Sequence, residues 1–108
     1  MVYSTASDYR LKENVKVIAN ALDKINRINP VEYNSKTSPT RTTGFLAHDI
    51  QAVLPETTSG EKDEIDLKGS PKYQTVDYGR VTPLLLAGIQ ELNFMLSGIK
   101  QELATLKN

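Results

Sequence analysis

The stretch Thr82–Leu106, TPLLLAGIQELNFMLSGIKQELATL, carries apolar residues at Leu85, Ile89, Leu92, Leu96, Ile99, Leu103 and Leu106. The steps between them run 4, 3, 4, 3, 4, 3. That is a period of 3.5, the mark of a coiled-coil seam rather than of a lone amphipathic helix, whose period is 3.6. Pro83 fits a first helical turn, where its missing N–H has no partner to lose, and only Gly88 and Gly98 interrupt the helix formers after it. The spacing predicts one long helix over residues 82–108. Ile89, Leu96 and Leu103 fall at one seam position, and Leu92, Ile99 and Leu106 at the other. In the middle, Leu96 followed by Ile99 favours three or more strands over two, hence a homotrimer. The competing reading is a core helix packed on its own domain. Against it stand the helix's length in so short a chain and a polar face after Gln90 with few apolar residues besides Phe94 and Met95, which would cover the seam's flank.

Upstream the pattern predicts a small mixed head, so the fold class is α+β with a long C-terminal helix. Ser7–Val17 alternates loosely, as an exposed strand or extended arm would. Ile18, Leu22 and Ile25 share a stripe of a short helix that ends near Asn29 and Pro30. Val31 and Tyr33 suit a short strand. Leu46, Ile50, Val53 and Leu54 share a face of a second short helix, introduced by Gly44 and Phe45 and stopped by Pro55. Ile65–Leu67 and Tyr73–Val76 read as a hairpin turning at Gly69 and Pro71, while 34–43 and 57–64 read as solvated loops. The expected organisation is a stub of a preceding segment over 1–6, a head over 7–81 and the helix over 82–108.

Composition narrows the function. The 108 residues form one domain, and a domain this small buries only about 60 to 70% of its unfolded surface. With no Trp and two Phe, its own core is modest and an oligomer would help. Thirteen basic residues balance thirteen acidic ones, leaving no field to attract a nucleic acid. Without cysteine there is neither a disulfide nor a thiolate metal site, and a single histidine, His48, argues against a His-based one. No apolar run approaches the roughly 20 residues of a membrane span and no targeting signal is visible, so the expectation is a soluble chain that is cytoplasmic where it is made. No Walker-type glycine loop suggests nucleotide binding and no paired carboxylates suggest glycan hydrolysis, so no cofactor is expected.

A serine hydroxyl beside a lysine amine is a nucleophile–base pair, provided the lysine is neutral. Ser7 and Lys12 are such a pair, with Arg10 placed to lower the amine's proton affinity and Asp8 to oppose it. Five residues of strand or helix would not face the two side chains toward each other, so a turn or a neighbouring protomer must do it. Taken by itself, Ser7 reads as an ordinary turn or cap residue.

The run Ser7-Asp8-Tyr9-Arg10-Leu11-Lys12 resembles the opening motif of the chaperone-of-endosialidase family, the self-cleaving intramolecular chaperones of phage tail fibres and tailspikes. Gly44-Phe45-Leu46-Ala47-His48-Asp49-Ile50, followed by Val53-Leu54-Pro55, resembles its second motif. Val76-Asp77-Tyr78 leading to Ile89-Gln90-Glu91-Leu92 resembles the third. The resemblance implies a domain that assists folding and trimerisation of a fibre or spike fused before it, then cuts itself off between Ala6 and Ser7, with Ser7 the nucleophile and Lys12 its base. The setting it implies is the host cytoplasm during virion assembly. Asp49 stands where many members have glutamate. Two other readings remain: a trimerisation module in which Ser7 and Lys12 are inert, and a regulatory domain of a membrane-tethered eukaryotic protein, since some relatives are of that kind.

Supporting roles are conceivable for Asp8, Arg10, His48 and Asp49, although a histidine on the exposed side of a short helix more simply makes one hydrogen bond. Tyr78 reads as a packing residue with a tethered hydroxyl, and Gly44 as a backbone necessity. Arg80 and Lys100 read as solvated or paired.

Overall fold

The computed structural model describes residues 4–107; Met1–Tyr3, half of the expected stub, and Asn108 at the end of the expected helix lie outside the described residues. Residues 4–20 form an exposed arm with one 3-10 turn at Tyr9–Leu11. The arm bends at Asn14 and Asn20, whose φ of 53° and 56° lie in the left-handed region that asparagine tolerates. The extended arm expected over Ser7–Val17 is therefore present, and no strand pairs with it among the described residues.

Helix α1 spans Ala21–Ile25. Ile18, expected on its stripe, precedes it and stays exposed, because left-handed Asn20 breaks the helical path between them. Strands β1 (Val31–Asn34) and β2 (Arg41–Gly44) pair antiparallel with Val31 opposite Gly44 and Asn34 opposite Arg41. The expected loop over 34–43 thus shrinks to residues 35–40, closed by the Ser35 N–H on the Thr40 carbonyl at 3.1 Å. Arg41, Thr42 and Thr43 look like loop by polarity, but β-branched threonine suits an exposed strand.

Helix α2 covers Ala47–Gln51, and its last turn closes with Val53 and Leu54 donating to the Ile50 carbonyl. Ile50 and Leu54 are buried, whereas Leu46, at the N-cap, is half exposed. Pro55 ends the helix and opens a 3-10 turn, Pro55–Thr57.

The hairpin expected between Ile65–Leu67 and Tyr73–Val76 does not form. Thr75–Val76 (β4) pairs instead with Thr58–Ser59 (β3), inside the stretch expected to be a loop, and Ile65 meets only Pro71 in an isolated bridge. Asp66 explains the difference. Its Oδ1 accepts from the Lys68 and Ser70 N–H groups at 2.8 and 3.0 Å, and Gly69 at φ 83° donates to its carbonyl at 3.0 Å, so the chain reverses early. Ile65 and Leu67 then have no apolar surface to cover and remain exposed, while Val76 reaches the core.

Helix α3 runs Thr82–Lys107, 26 residues, so the expected long helix is there. The core is small: Ala21, Ile50, Leu54, Val81 and Leu84 are buried, with Ile25, Phe45, Val53, Val76 and Ala87 packed around them. Leu84 and Gly88 are the buried residues of α3, against α1. A Cβ at Gly88 would collide with Ile25 Cδ1, so this glycine lets α1 cross α3 closely. The stripe Leu84, Gly88, Glu91 is offset by one residue from Leu85, Ile89, Leu92, about 100° around the helix. The core-helix reading thus accounts for one face of the first turns only. The other face stays exposed within the protomer.

The molecule measures 72 × 39 × 30 Å with a radius of gyration of 19.3 Å, against about 13 Å for a compact 100-residue domain. Its 9556 Å² of accessible surface exceeds that of a compact monomer of 12.0 kDa by about 3,500 Å². Most of the exposed large apolar side chains fall in three places: Tyr9, Leu11, Val15, Val17 and Ile18 on the arm; Ile65, Leu67 and Tyr73 on one loop; and the Leu85–Leu106 stripe with Leu86, Phe94 and Met95 on α3; Tyr33, Leu46 and Tyr78 are partly exposed elsewhere on the head. No described helix is long and apolar enough to cross a membrane.

Candidate functional site

Asp8 builds the turn on which Ser7 and Lys12 meet. With φ −63° and ψ 137° it caps the Tyr9–Leu11 turn, its Oδ1 accepting from the Arg10 N–H at 2.8 Å. The Arg10 guanidinium then grips the same carboxylate through two bonds, Nε to Oδ1 and Nη2 to Oδ2, each 2.9 Å. Leu11 and Lys12 donate their N–H groups back to the carbonyls of Asp8 and Tyr9 at 3.0 and 3.1 Å. The chain folds back within five residues and sets Lys12 Nζ on Ser7 Oγ, and 3.3 Å from the Ser7 carbonyl oxygen. A turn, not a neighbouring protomer, overcomes the unfavourable spacing.

The guanidinium beside Asp8, and then the Arg10 N–H, hold its carboxyl below the usual carboxylate range, and the carboxylate raises Arg10 in return. The two charges offset each other locally. Neither side chain is hydrogen-bonded to Lys12, so what Asp8 and Arg10 visibly supply is the shape of the turn. Chemically, a hydroxyl in contact with an amine is a nucleophile and its base. Ser7 Oγ is also linked through Cβ, Cα and N to the carbonyl carbon of Ala6, so attack there closes a five-membered ring. Ala6, Ser7 and Lys12 are all exposed, and a lysine becomes a base when burial or nearby cations discharge it. Such burial requires a second surface.

His48 and Asp49 sit on α2, where no hydrogen bond or ion pair among the described residues joins either to Ser7 or Lys12. Asp49 is half-buried and accepts from Asn29 Nδ2 at 3.1 Å, tying α2 to the segment after α1; His48 is exposed beside the Glu61–Gln74 loop. Tyr78 is the tethered packing residue expected: its hydroxyl accepts from the Phe45 N–H at 3.2 Å and the two rings lie 5.4 Å apart. It also explains Gly44, where a Cβ would collide with the Tyr78 hydroxyl. Arg80 pairs with Asp77 at 3.4 Å, and Lys100 is exposed. Leu85, Ile89, Leu92, Leu96, Ile99, Leu103 and Leu106 line one exposed stripe of α3.

Glu91 is the residue that sequence reasoning missed. Its carboxylate accepts from the Ala21 N–H at 2.6 Å and the Leu22 N–H at 3.4 Å, capping α1 from a helix 70 residues away. Asn20 stands where a local cap would and makes no such bond, so nothing local signals the remote one.

The family model of the chaperone of endosialidase matches residues 7–59, beginning on Ser7. Over 102 residues, 90% of the chain, the sequence is 33% identical to the long tail fiber protein Gp37 of Enterobacteria phage K3, and equally to that of Enterobacteria phage T2. The chain spans only 8% and 7% of the length of those two relatives.

Proposed function

Since residues 7–59 belong to the chaperone-of-endosialidase family, we propose that the chain is an intramolecular chaperone that helps an N-terminally fused phage tail fibre or tailspike to fold and trimerise, then releases itself by cutting before Ser7. It acts in the host cytoplasm during virion assembly. The observation that carries the catalytic part is the contact of Lys12 Nζ with Ser7 Oγ at the first residue of the matched stretch.

In this reading neutral Lys12 takes the Ser7 hydroxyl proton while Oγ bonds to the Ala6 carbonyl carbon. The tetrahedral centre collapses as the Ala6–Ser7 C–N bond breaks, and the Ser7 nitrogen leaves with the proton that Lys12 returns. An ester now joins the Ala6 carbonyl to Oγ. Water attacks that ester, freeing the client with a terminal Ala6 carboxyl group and regenerating the Ser7 hydroxyl beside a new amino terminus. The reaction turns over once.

Trimerisation is supported by the unpartnered stripe on α3 and by the surface excess. A subunit in a three-fold ring has two interfaces, each of about 800 Å² per partner at standard size, and the exposed surface is ample for both. Packing the arm into the trimer takes Lys12 out of water, which favours the neutral amine and makes cutting conditional on assembly.

The test is expression of the chain fused to its natural preceding sequence, followed by mass spectrometry of the fragments. The wild type yields a fragment starting at Ser7. Ser7→Ala yields none, and Lys12→Ala cuts about 100-fold more slowly or worse. A Ser7→Ala fusion that still releases a fragment beginning at residue 7 would remove the serine mechanism. A wild-type trimer that stays whole would leave only the inert trimerisation module.

A further inference from the structure

We propose that Glu91 is a positioning residue for self-cleavage: its carboxylate, by capping α1, roots the Ser7–Lys12 arm on the long helix. The inference rests on the self-cleavage reading above and adds to it a residue outside the dyad, on α3 beyond residues 7–59.

Among the described hydrogen bonds, none involves residues 13–20, so the arm's first hydrogen-bonded attachment after Lys12 is the pair of N–H groups of Ala21 and Leu22 on Glu91, just past Ile18, which borders a groove on α3 beside Ala87 and Phe94. The first N–H groups of a helix have no intrahelical acceptor. Ala21 is fully buried, which keeps water from its N–H, and left-handed Asn20 offers no side-chain oxygen. Glu91 is therefore the acceptor at that point, and a negative charge suits the positive end of a helix. The residue lies between Ile89 and Leu92 in sequence but belongs to the stripe of Leu84 and Gly88, so it holds its own head while the seam remains free for other copies.

Geometry gives the anchor its consequence. Lys12 precedes Ala21 by nine residues, up to about 30 Å of extended chain, whereas packed helices lie about 8 to 10 Å apart. An arm rooted at Glu91 can reach a neighbouring protomer, and the root determines which part of it the exposed Val15 and Val17 meet. Releasing the root leaves the Ser7–Lys12 turn intact and misplaces it relative to the surface that must bury Lys12.

The experiment uses the fusion with its natural preceding sequence and reads four quantities: sedimentation, melting temperature, rate of self-cleavage, and hydrogen exchange at the Ala21 amide. Glu91→Ala is expected to remain trimeric, to cut about tenfold more slowly, and to exchange the Ala21 amide at least tenfold faster. Glu91→Gln keeps an acceptor oxygen and recovers most of both effects. Ile25→Val trims the contact between α1 and α3 without touching the cap, and is expected to cut at close to the wild-type rate. The proposal is overturned if Glu91→Ala cuts as fast as wild type, or if Ile25→Val slows cutting as much at an equal loss of melting temperature. Should the wild-type fusion not cut, or Ser7→Ala still cut, the self-cleavage reading fails by itself. The anchor is then judged on Ala21 exchange, where equal protection in wild type and Glu91→Ala overturns it.

Discussion

At the scale of single residues, the turn that brings Ser7 and Lys12 together is capped by Asp8. The pairing was legible in the sequence only through the family motif, because spacing by itself argues against it. What makes the spacing work is Asp8 as a cap with Arg10 two residues on, a local arrangement whose bonds close within a single turn. This has a pH signature. The Asp8 carboxyl lies below the usual carboxylate range in the folded turn. Its contribution is therefore complete above the value of an unstructured aspartate, about 3.9, and is lost as pH falls through the lower folded value. A carbon-13 titration of the Asp8 carboxyl should give a midpoint below that of an unstructured aspartate, with the Arg10 amide shift following the same curve. A midpoint at or above the ordinary value, or an Arg10 amide that ignores it, would show that the cap does not form in solution.

At the scale of elements, what was legible followed the length of the pattern. The helix from Thr82 was read from seven apolar positions, and α2 from Leu46, Ile50, Val53 and Leu54 with Pro55 as its stop, although Leu46 stays half exposed. The two-residue strands β3 and β4 carry no period at all, so their pairing was invisible, and the alternation of Ile65 and Leu67 about Asp66 drew a hairpin that Asp66 prevents. The two glycines of α3 looked alike in the sequence and differ in the fold. A Cβ at Gly98 meets nothing within 4 Å, whereas one at Gly88 meets Ile25 of α1. Alanine is better than glycine in a helix by about 1 kcal/mol, while overpacking costs about 1 to 3 kcal/mol. Gly98→Ala should therefore raise the melting temperature followed by circular dichroism, and Gly88→Ala should lower it as α1 is pushed away. If both substitutions shift it upward, the Ile25 side chain yields to the added methyl and Gly88 does not limit the approach of α1 to α3.

At the scale of the molecule, the protomer exposes more than its own core can account for. Five buried apolar residues hold the head together, and all of them lie at or before Leu84. Beyond Glu91 the described part of α3 contributes nothing to that core. Leu96, 49% exposed in the single chain, therefore separates two roles that a shorter helix would mix: it can be changed without entering the head. In a trimer, Leu96→Asp would put three carboxylates into one buried layer, and placing unpaired charge or polar groups out of water costs several kcal/mol per trimer. The head core should survive in each protomer while association fails. Sedimentation at micromolar concentration is expected to show wild type as a trimer and Leu96→Asp as a monomer, with near-ultraviolet circular dichroism from the Phe45–Tyr78 pair retained. If assembly desolvates Lys12, as proposed above, the same substitution should slow self-cleavage although Leu96 is far along the chain from Ser7. A wild-type protein that sediments as a monomer, or a Leu96→Asp protein that remains a trimer, would show that the 3.5-residue period of α3 serves some purpose other than joining three copies.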